Sequence, residues 1–109
     1  MPYDKELAAR VREVLQEHGD IGERKMFGGI AFMVGAHMCC GVLHDDLVLR
    51  LGSDRADKAL QEEHVRPMDF TGRPMKGYVF VGPAGVRGET ALRRRLRSAL
   101  DFVSTLPTK

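Results

Sequence analysis

Residues 24–51, "RKMFGGIAFMVGAHMCCGVLHDDLVLRL", decide the fold of this chain. They form short apolar runs separated at residues 35–36 and 44–46, where small and acidic residues favour tight turns. The last run, "LVLRL", alternates leucine with other residues, which is the pattern of a strand with one buried face. The stretch therefore predicts a three-stranded antiparallel meander.

The first of these strands, "IAFMV" at residues 30–34, is apolar at every position. Such a run predicts a strand that is covered on both faces. Helices in so short a chain can cover only one face of the sheet, and we expect the other face to be a contact between two copies in a homodimer. The exposed set is either Ala31 and Met33, which we take as the interface, or Ile30, Phe32 and Val34.

Amphipathic segments flank the meander on both sides. Asp4 can cap a first helix, a short second helix follows residue 52, and residues 77–81, "GYVFV", read as a strand. The apolar stripe of the last helix consists of Leu92, Leu96, Ala99, Leu100, Val103 and Leu106. The predicted order is α-β-β-β-α-β-β-α. It indicates an α+β two-layer sandwich, an antiparallel sheet of about five strands with helices on one face.

Length and charge narrow the class of protein. A chain of 109 residues is long enough for one domain, which we assign to residues 1–109. The net charge of +2 is too close to balance to indicate nucleic-acid binding by charge alone. No apolar run approaches the roughly 18 residues of a membrane span. The two cysteines are adjacent in sequence, and we expect a reduced, cytoplasmic protein.

Residues 66–81, "RPMDFTGRPMKGYVFV", contain the motif Arg-Pro-Met twice around a predicted turn. Each arginine precedes a proline, which favours extended backbone. We expect Met68, Phe70 and Met75 to pack inward, with Arg73 and Lys76 left outside. The alternative is a recognition loop that binds a protein partner. Its residues would be Arg66, Asp69, Phe70, Arg73 and Lys76.

The hairpin "HMCCGVLH" concentrates soft metal ligands. In a regular strand His37 and Cys39 share one face while Cys40 lies on the other. Buried, unreactive cysteines are the default prediction, with no metal and no cofactor. The alternative is a metal site or a Cys/His-dependent enzyme that uses His37, Cys39 and His44, although the sequence offers no second ligand pair to complete a zinc site.

Four arginines lie in the segment "RRRLR" at residues 93–97 of the last predicted helix. At helical spacing they spread around the helix and form no continuous basic face. A solvated helix surface is the default prediction. The alternative is direct contact with nucleic acid or with an acidic partner, through Arg93, Arg94 and Arg97.

The segments "RKMFGGIAFMVGAHMCCGV", "RPMDFTGRPMKGYVFV" and "FVSTLP" together resemble the TfoX N-terminal domain family of the TfoX/Sxy group. The pairing of "MFGG" with a downstream "MKGY" carries the resemblance, which extends from the first helix to the last. It implies an α+β sandwich. Longer members of this family are regulators of natural competence that act alongside the cyclic-AMP receptor protein at promoters, and they carry a second, helical C-terminal domain. We expect a single-domain member that lacks this second domain.

These observations favour a small cytoplasmic, non-enzymatic interaction or regulatory module. Its role would be that of an adaptor in transcription, with an unidentified protein partner and a homodimeric state. The metal-binding or Cys/His-dependent enzyme and the direct nucleic-acid binder remain as alternatives.

Overall fold

The computed structural model describes residues 3–19, 21–26, 28–69 and 74–106. Its elements in chain order are α1 (Lys5–Gln16), β1 (Gly22–Met26), β2 (Gly29–Val34), β3 (His37–Leu43), β4 (Asp46–Arg50), α2 (Gly52–Ala59), β5 (Val65–Asp69), β6 (Pro74–Val81), a 3-10 turn (Pro83–Val86) and α3 (Glu89–Val103). The predicted α+β class and the order of helices and strands are confirmed. Among these residues, no helix has the length and apolarity that crossing a membrane requires.

The described strands form one antiparallel sheet of six, in the order β1-β2-β3-β4-β6-β5. The meander contains one more strand than the three predicted, because β1 pairs with β2 at the edge of the sheet, with Gly22 opposite Met33. The sequence of β1, "GERKM", carries charge at three of its five positions. An edge strand tolerates such a sequence because it stays largely exposed to water, and its charges protect the edge from pairing with other chains.

All three helices pack on one face of this sheet and enclose the main core. Phe32 of β2 is fully buried there, as are Leu15 of α1 and Leu96 of α3, and α2 contributes Ala56 and Ala59. This arrangement confirms the predicted helices on one face. Because Phe32 and Ile30 point into this core, they are the covered set of the "IAFMV" strand.

The first helix begins where the sequence predicted. One carboxylate oxygen of Asp4 accepts hydrogen bonds from the backbone N–H groups of Glu6 and Leu7, at 2.9 and 3.1 Å. These bonds satisfy donors that the first turn of a helix leaves unpaired. The N–H of Asp4 also donates to the carbonyl oxygen of His44 at 2.7 Å, which ties the start of α1 to the turn between β3 and β4.

We call the other side of the sheet the outer face. A second apolar cluster lies there, and strands alone supply its members. These are Leu43, Val48, Met68 and Phe80, with Met38 and Tyr78 packed beside them. The cross-strand pairs place Ala31 opposite Gly41, Gly41 opposite Val48, and Val48 opposite Phe80. Ala31 and Met33 therefore belong to the outer face. The exposure predicted for this pair holds only in part, because Met33 is partly exposed while Ala31 is 1% exposed.

Candidate functional site

The outer face carries basic side chains at both ends of its central cross-strand row. Arg24 of β1 pairs with Ala31, and Arg66 of β5 pairs with Phe80. Directly opposed residues point to the same side of a sheet, so both arginines stand on the outer face. Arg50, opposite Tyr78 in the neighbouring row, is the third.

Arg66 is held in place by two contacts at once. Its guanidinium carbon lies 4.9 Å from the ring centroid of Phe80, within the range of a cation–π interaction. The same group forms a two-pronged ion pair with Asp46, with Nη1 3.2 Å from Oδ1. This hydrogen bonding raises the pKa of Arg66. The side chain is still 53% exposed, so the pair presents a fixed guanidinium to the solvent.

Arg50 covers the neighbouring aromatic ring. Its guanidinium carbon lies 5.8 Å from the ring centroid of Tyr78 and 6.0 Å from that of Phe102 on α3, so the charged group stands between the outer face and the helix layer. Nη1 donates to the carbonyl oxygen of Met38 at 3.5 Å. The stems of long basic side chains can shield apolar atoms while the charged ends stay in water. Val48 and Phe80 are only 3% and 8% exposed although no described helix packs on them, and it is Arg66 that stacks on Phe80.

The charge of the outer face is predominantly positive. Lys76 is exposed on β6, next to Gly77, whose φ of +90° interrupts the regular alternation of that strand. Among the described residues, the register of the sheet places Arg24, Arg50 and Arg66 on the outer face, together with the carboxylate of Asp46. The arrangement is a small apolar centre with a basic rim, which suits contact with an acidic surface.

The first Arg-Pro-Met unit lies on β5, and the second contributes Pro74 and Met75 to β6. Met68 is buried in the outer cluster, as predicted, and Lys76 is exposed, as predicted. The inward packing predicted for Met75 is wrong, because its side chain is 42% exposed. Two residues further along β6, Gly77 lies close to Gly52 at the start of α2.

The rest of the predicted recognition loop lies outside the described part of the chain. This applies to Phe70, to Arg73 and to the side chain of Asp69. Arg66 and Lys76 are the two predicted partner-binding residues whose side chains the structure describes. Arg66 stands on the outer face, and Lys76 is exposed.

Both cysteines face the helices, so the prediction that Cys40 lies opposite Cys39 is wrong. Phe32 pairs with Cys40 and Met33 pairs with Met38, which leaves Cys39 as the additional residue of a bulge. The alternation is broken at that point, and both thiols are fully buried in the main core. The hydrogen bond between them lowers the pKa of Cys39, and together with burial it raises the pKa of Cys40.

The predicted metal ligands are separated by the strand that carries them. His37 begins β3 and His44 follows its last residue, so their Cα atoms are roughly 20 Å apart at the usual rise per residue. One metal ion cannot bind both. Within the described residues, no group of three or more His, Cys, Asp or Glu side chains is arranged to hold a metal.

The arginines of α3 are largely engaged in contacts within the protein. Arg93 donates to Glu17 and to Glu89, each at 2.9 Å, and these hydrogen bonds raise its pKa. Arg94 lies 3.4 Å from Glu62. Among the described residues Arg97 makes no ion pair. The positive charge available to nucleic acid at this helix is therefore smaller than the sequence suggests.

Arg95 is the residue that sequence reasoning missed. Only 7% of its surface is exposed, and it lies on α3 beside Leu92, Leu96 and Ala99. Positions 92, 95, 96 and 99 share one face of a helix, so the apolar stripe itself indicated that this arginine points inward. Its guanidinium donates to the carbonyl oxygen of Gly85 and to Glu62, at 3.1 and 3.2 Å.

Comparison with known proteins agrees with this fold. The sequence model of the TfoX N-terminal domain family matches residues 13–103, from within α1 to the end of α3. No curated protein and no solved structure shows a significant match. Because the matched segment covers most of the 109 residues, the chain belongs to the TfoX N-terminal domain family.

Proposed function

We propose that this chain is a small, non-enzymatic regulatory module that binds an acidic surface of a transcription regulator through its outer face. The observation that carries the proposal is the basic rim around an apolar centre on a sheet face that no described helix covers. Membership of the TfoX N-terminal domain family supports the regulatory part, since competence regulators that act alongside the cyclic-AMP receptor protein resemble it. The two free thiols are typical of a reducing compartment and support a cytoplasmic location.

The chemistry of the outer face favours a protein partner of opposite charge. Arginine and aromatic residues are enriched where interfaces are most strongly bound. Arg66 is already fixed by Asp46 and Phe80, so little side-chain freedom remains to be lost on binding. Complementary charge also accelerates encounter with an acidic partner.

A homodimer is the second candidate, because the outer face has no helix covering it among the described residues and Met33 is partly exposed there, whereas Ala31 is already buried. Two copies of this face would bring basic rims together, which opposes the pairing. Light scattering at tens of micromolar protein, a range that detects ordinary homodimer affinities, tests whether the chain associates with itself. A dimer that Met33→Asp converts to a monomer supports self-association. A monomeric wild-type protein refutes it.

We expect Arg66→Ala to weaken binding to the purified cyclic-AMP receptor protein by about tenfold or more, because one charged hydrogen-bonding group is lost. Titration calorimetry of the purified pair measures this change. The matched control is Arg97→Ala, which removes an exposed arginine from α3 on the helix side and is expected to leave the affinity unchanged.

Two results contradict the proposal. Equal affinities of wild type and Arg66→Ala exclude the outer face as the binding surface. Absence of any binding between the wild-type chain and the cyclic-AMP receptor protein excludes the adaptor role in this form.

A further inference from the structure

A second feature lies on the helix side of the sheet, where α2 and α3 leave a cavity of about 260 Å³ between them. Its apolar lining comes from Leu49 of β4, from Leu51 just after that strand and from Ala59 of α2. Nη1 of Arg55 donates to the carbonyl oxygen of Ser98 at 2.7 Å and so joins the two helices across it. The cavity is concave and partly apolar, as small-molecule sites are.

The buried side chain of Arg95 reaches this cavity. It is 8% exposed, Nε is bonded to Gly85 and Nη2 to Glu62, while Nη1 has no hydrogen-bond partner among the described residues. Every fully buried side-chain nitrogen or oxygen atom of the described residues has a hydrogen-bond partner. Because Nη1 has none, this atom is not fully buried and must touch accessible space. The cavity is the accessible space that Arg95 lines. Arg95 is thus a largely buried guanidinium that lines the cavity and whose Nη1 has no hydrogen-bond partner among the described residues.

The lining has an excess of positive charge. Four cationic side chains face the cavity, from Arg55, Lys58, Arg94 and Arg95, and Glu62 is the one carboxylate among them. Glu62 is shared between Arg94 and Arg95, at 3.4 and 3.2 Å. Cations held this close repel one another, and an anion that enters relieves the repulsion.

We propose that this cavity binds the phosphate group of a small phosphate monoester. Guanidinium groups match phosphate oxygens in pairs, and a lysine ammonium adds a point charge, so Arg94, Arg95 and Lys58 supply a suitable set of donors. A doubly charged anion fits the surplus of cations better than a single carboxylate does. The apolar lining takes the organic part of the molecule, which must be small, because the volume lies just below the usual range of about 300–1,000 Å³ for ligand sites.

This site is separate from the proposed docking surface. The cavity lies among the helices and the outer face on the other side of the sheet, so either proposal can fail while the other holds. A ligand that joins α2 to α3 also stabilises the folded state in proportion to its concentration, since it binds only the folded chain.

The test uses phenyl phosphate, inorganic phosphate, succinate and phenol with the purified full-length chain. We expect saturable one-to-one binding of phenyl phosphate in calorimetry, weaker binding of inorganic phosphate and none of phenol. Amide chemical shifts should change in residues 55–62 and 94–98. Absence of saturable binding by both phosphates in the millimolar range overturns the site. Succinate that binds as tightly as phenyl phosphate overturns the choice of phosphate.

Matched variants assign the binding to this cavity. The double variant Lys58→Gln/Arg94→Gln changes two exposed side chains, so folding should be retained, and we expect a loss of phenyl phosphate affinity of about tenfold or more. The control is Arg97→Gln, which removes a charge from the opposite flank of α3. Arg97 lines a different cavity, which lies between α3 and α1. Equal affinity of wild type and double variant, or an equal loss in the control, overturns the proposal.

Discussion

Replacing Phe32 with alanine is expected to destabilise the protein by about 3–5 kcal/mol, the usual cost of removing a buried aromatic ring and leaving a cavity. Phe32 is the largest fully buried side chain of the described core. It lies on β2 beneath the helices, and rigid strands on both sides limit how far the site can collapse. Since single domains are stable by only about 5–15 kcal/mol, this one change removes a large part of the total.

The neighbouring residue provides the control. Met33 lies on the outer face and is only partly buried, so Met33→Ala should cost far less than Phe32→Ala. Urea denaturation of both variants measures the difference as a shift of the midpoint at constant slope. Similar losses of unfolding free energy for the two variants would mean that the faces of β2 are wrongly assigned.

The second large effect is expected from Gly41→Ala, in the middle of the sheet. A Cβ atom at this position would lie 2.6 Å from the carbonyl oxygen of Ile30 and 3.4 Å from the Cα of Ala31. Both are backbone atoms of the paired strand β2, so neither can move aside without disturbing the pairing with β3. We expect a loss of about 1–3 kcal/mol, the usual cost of overpacking.

Gly22→Ala is the matched control in the same sheet. There the new Cβ would meet Met33 Cβ at 3.7 Å, an ordinary contact, and alanine is less flexible than glycine in the unfolded chain. We expect this variant to be neutral or slightly more stable. Thermal unfolding of the two variants side by side measures the contrast, and a Gly41→Ala protein as stable as Gly22→Ala would disprove the close approach of β2 to β3.

The fold was predictable because local signals agreed with the global arrangement. The Asp4 cap, the turns at residues 35–36 and 44–46 and the stripe of the last helix each indicated the correct element. Strand β1 was not predictable from the same signals. Its charged residues neither alternate nor form an apolar run, and it becomes a strand through pairing with β2.

The faces of the strands were harder to predict than the strands themselves. "IAFMV" is apolar throughout, so its sequence could not choose between Phe32 and Met33 as the covered side. The side chains of Cys39 and Cys40 lie on the same face of the sheet because a bulge breaks the alternation. No residue pattern in "HMCCGV" indicates that bulge. In both cases the decision depends on partners that are distant in sequence.

The candidate sites show the same division. The sequence predicts Arg66 and Lys76 as partner-binding residues, and both side chains are exposed, but it did not indicate the pairing of Arg66 with Asp46. The cavity between α2 and α3 could not be predicted, since packing alone brings together residues 49–62 and 94–98. Arg95 could have been found, because its position in the apolar stripe of α3 outweighs its charge as an indicator of burial.

The adjacent cysteines allow transient opening of the core of this protein to be measured. Both thiols are fully shielded inside the sheet–helix core, so an alkylating reagent can reach them only during transient opening. At a low concentration of the alkylating reagent, the rate of modification is therefore proportional to the population of the open form. At a high concentration it approaches the rate of opening. The wild-type sequence thus allows opening of the core to be timed by mass spectrometry without an introduced label.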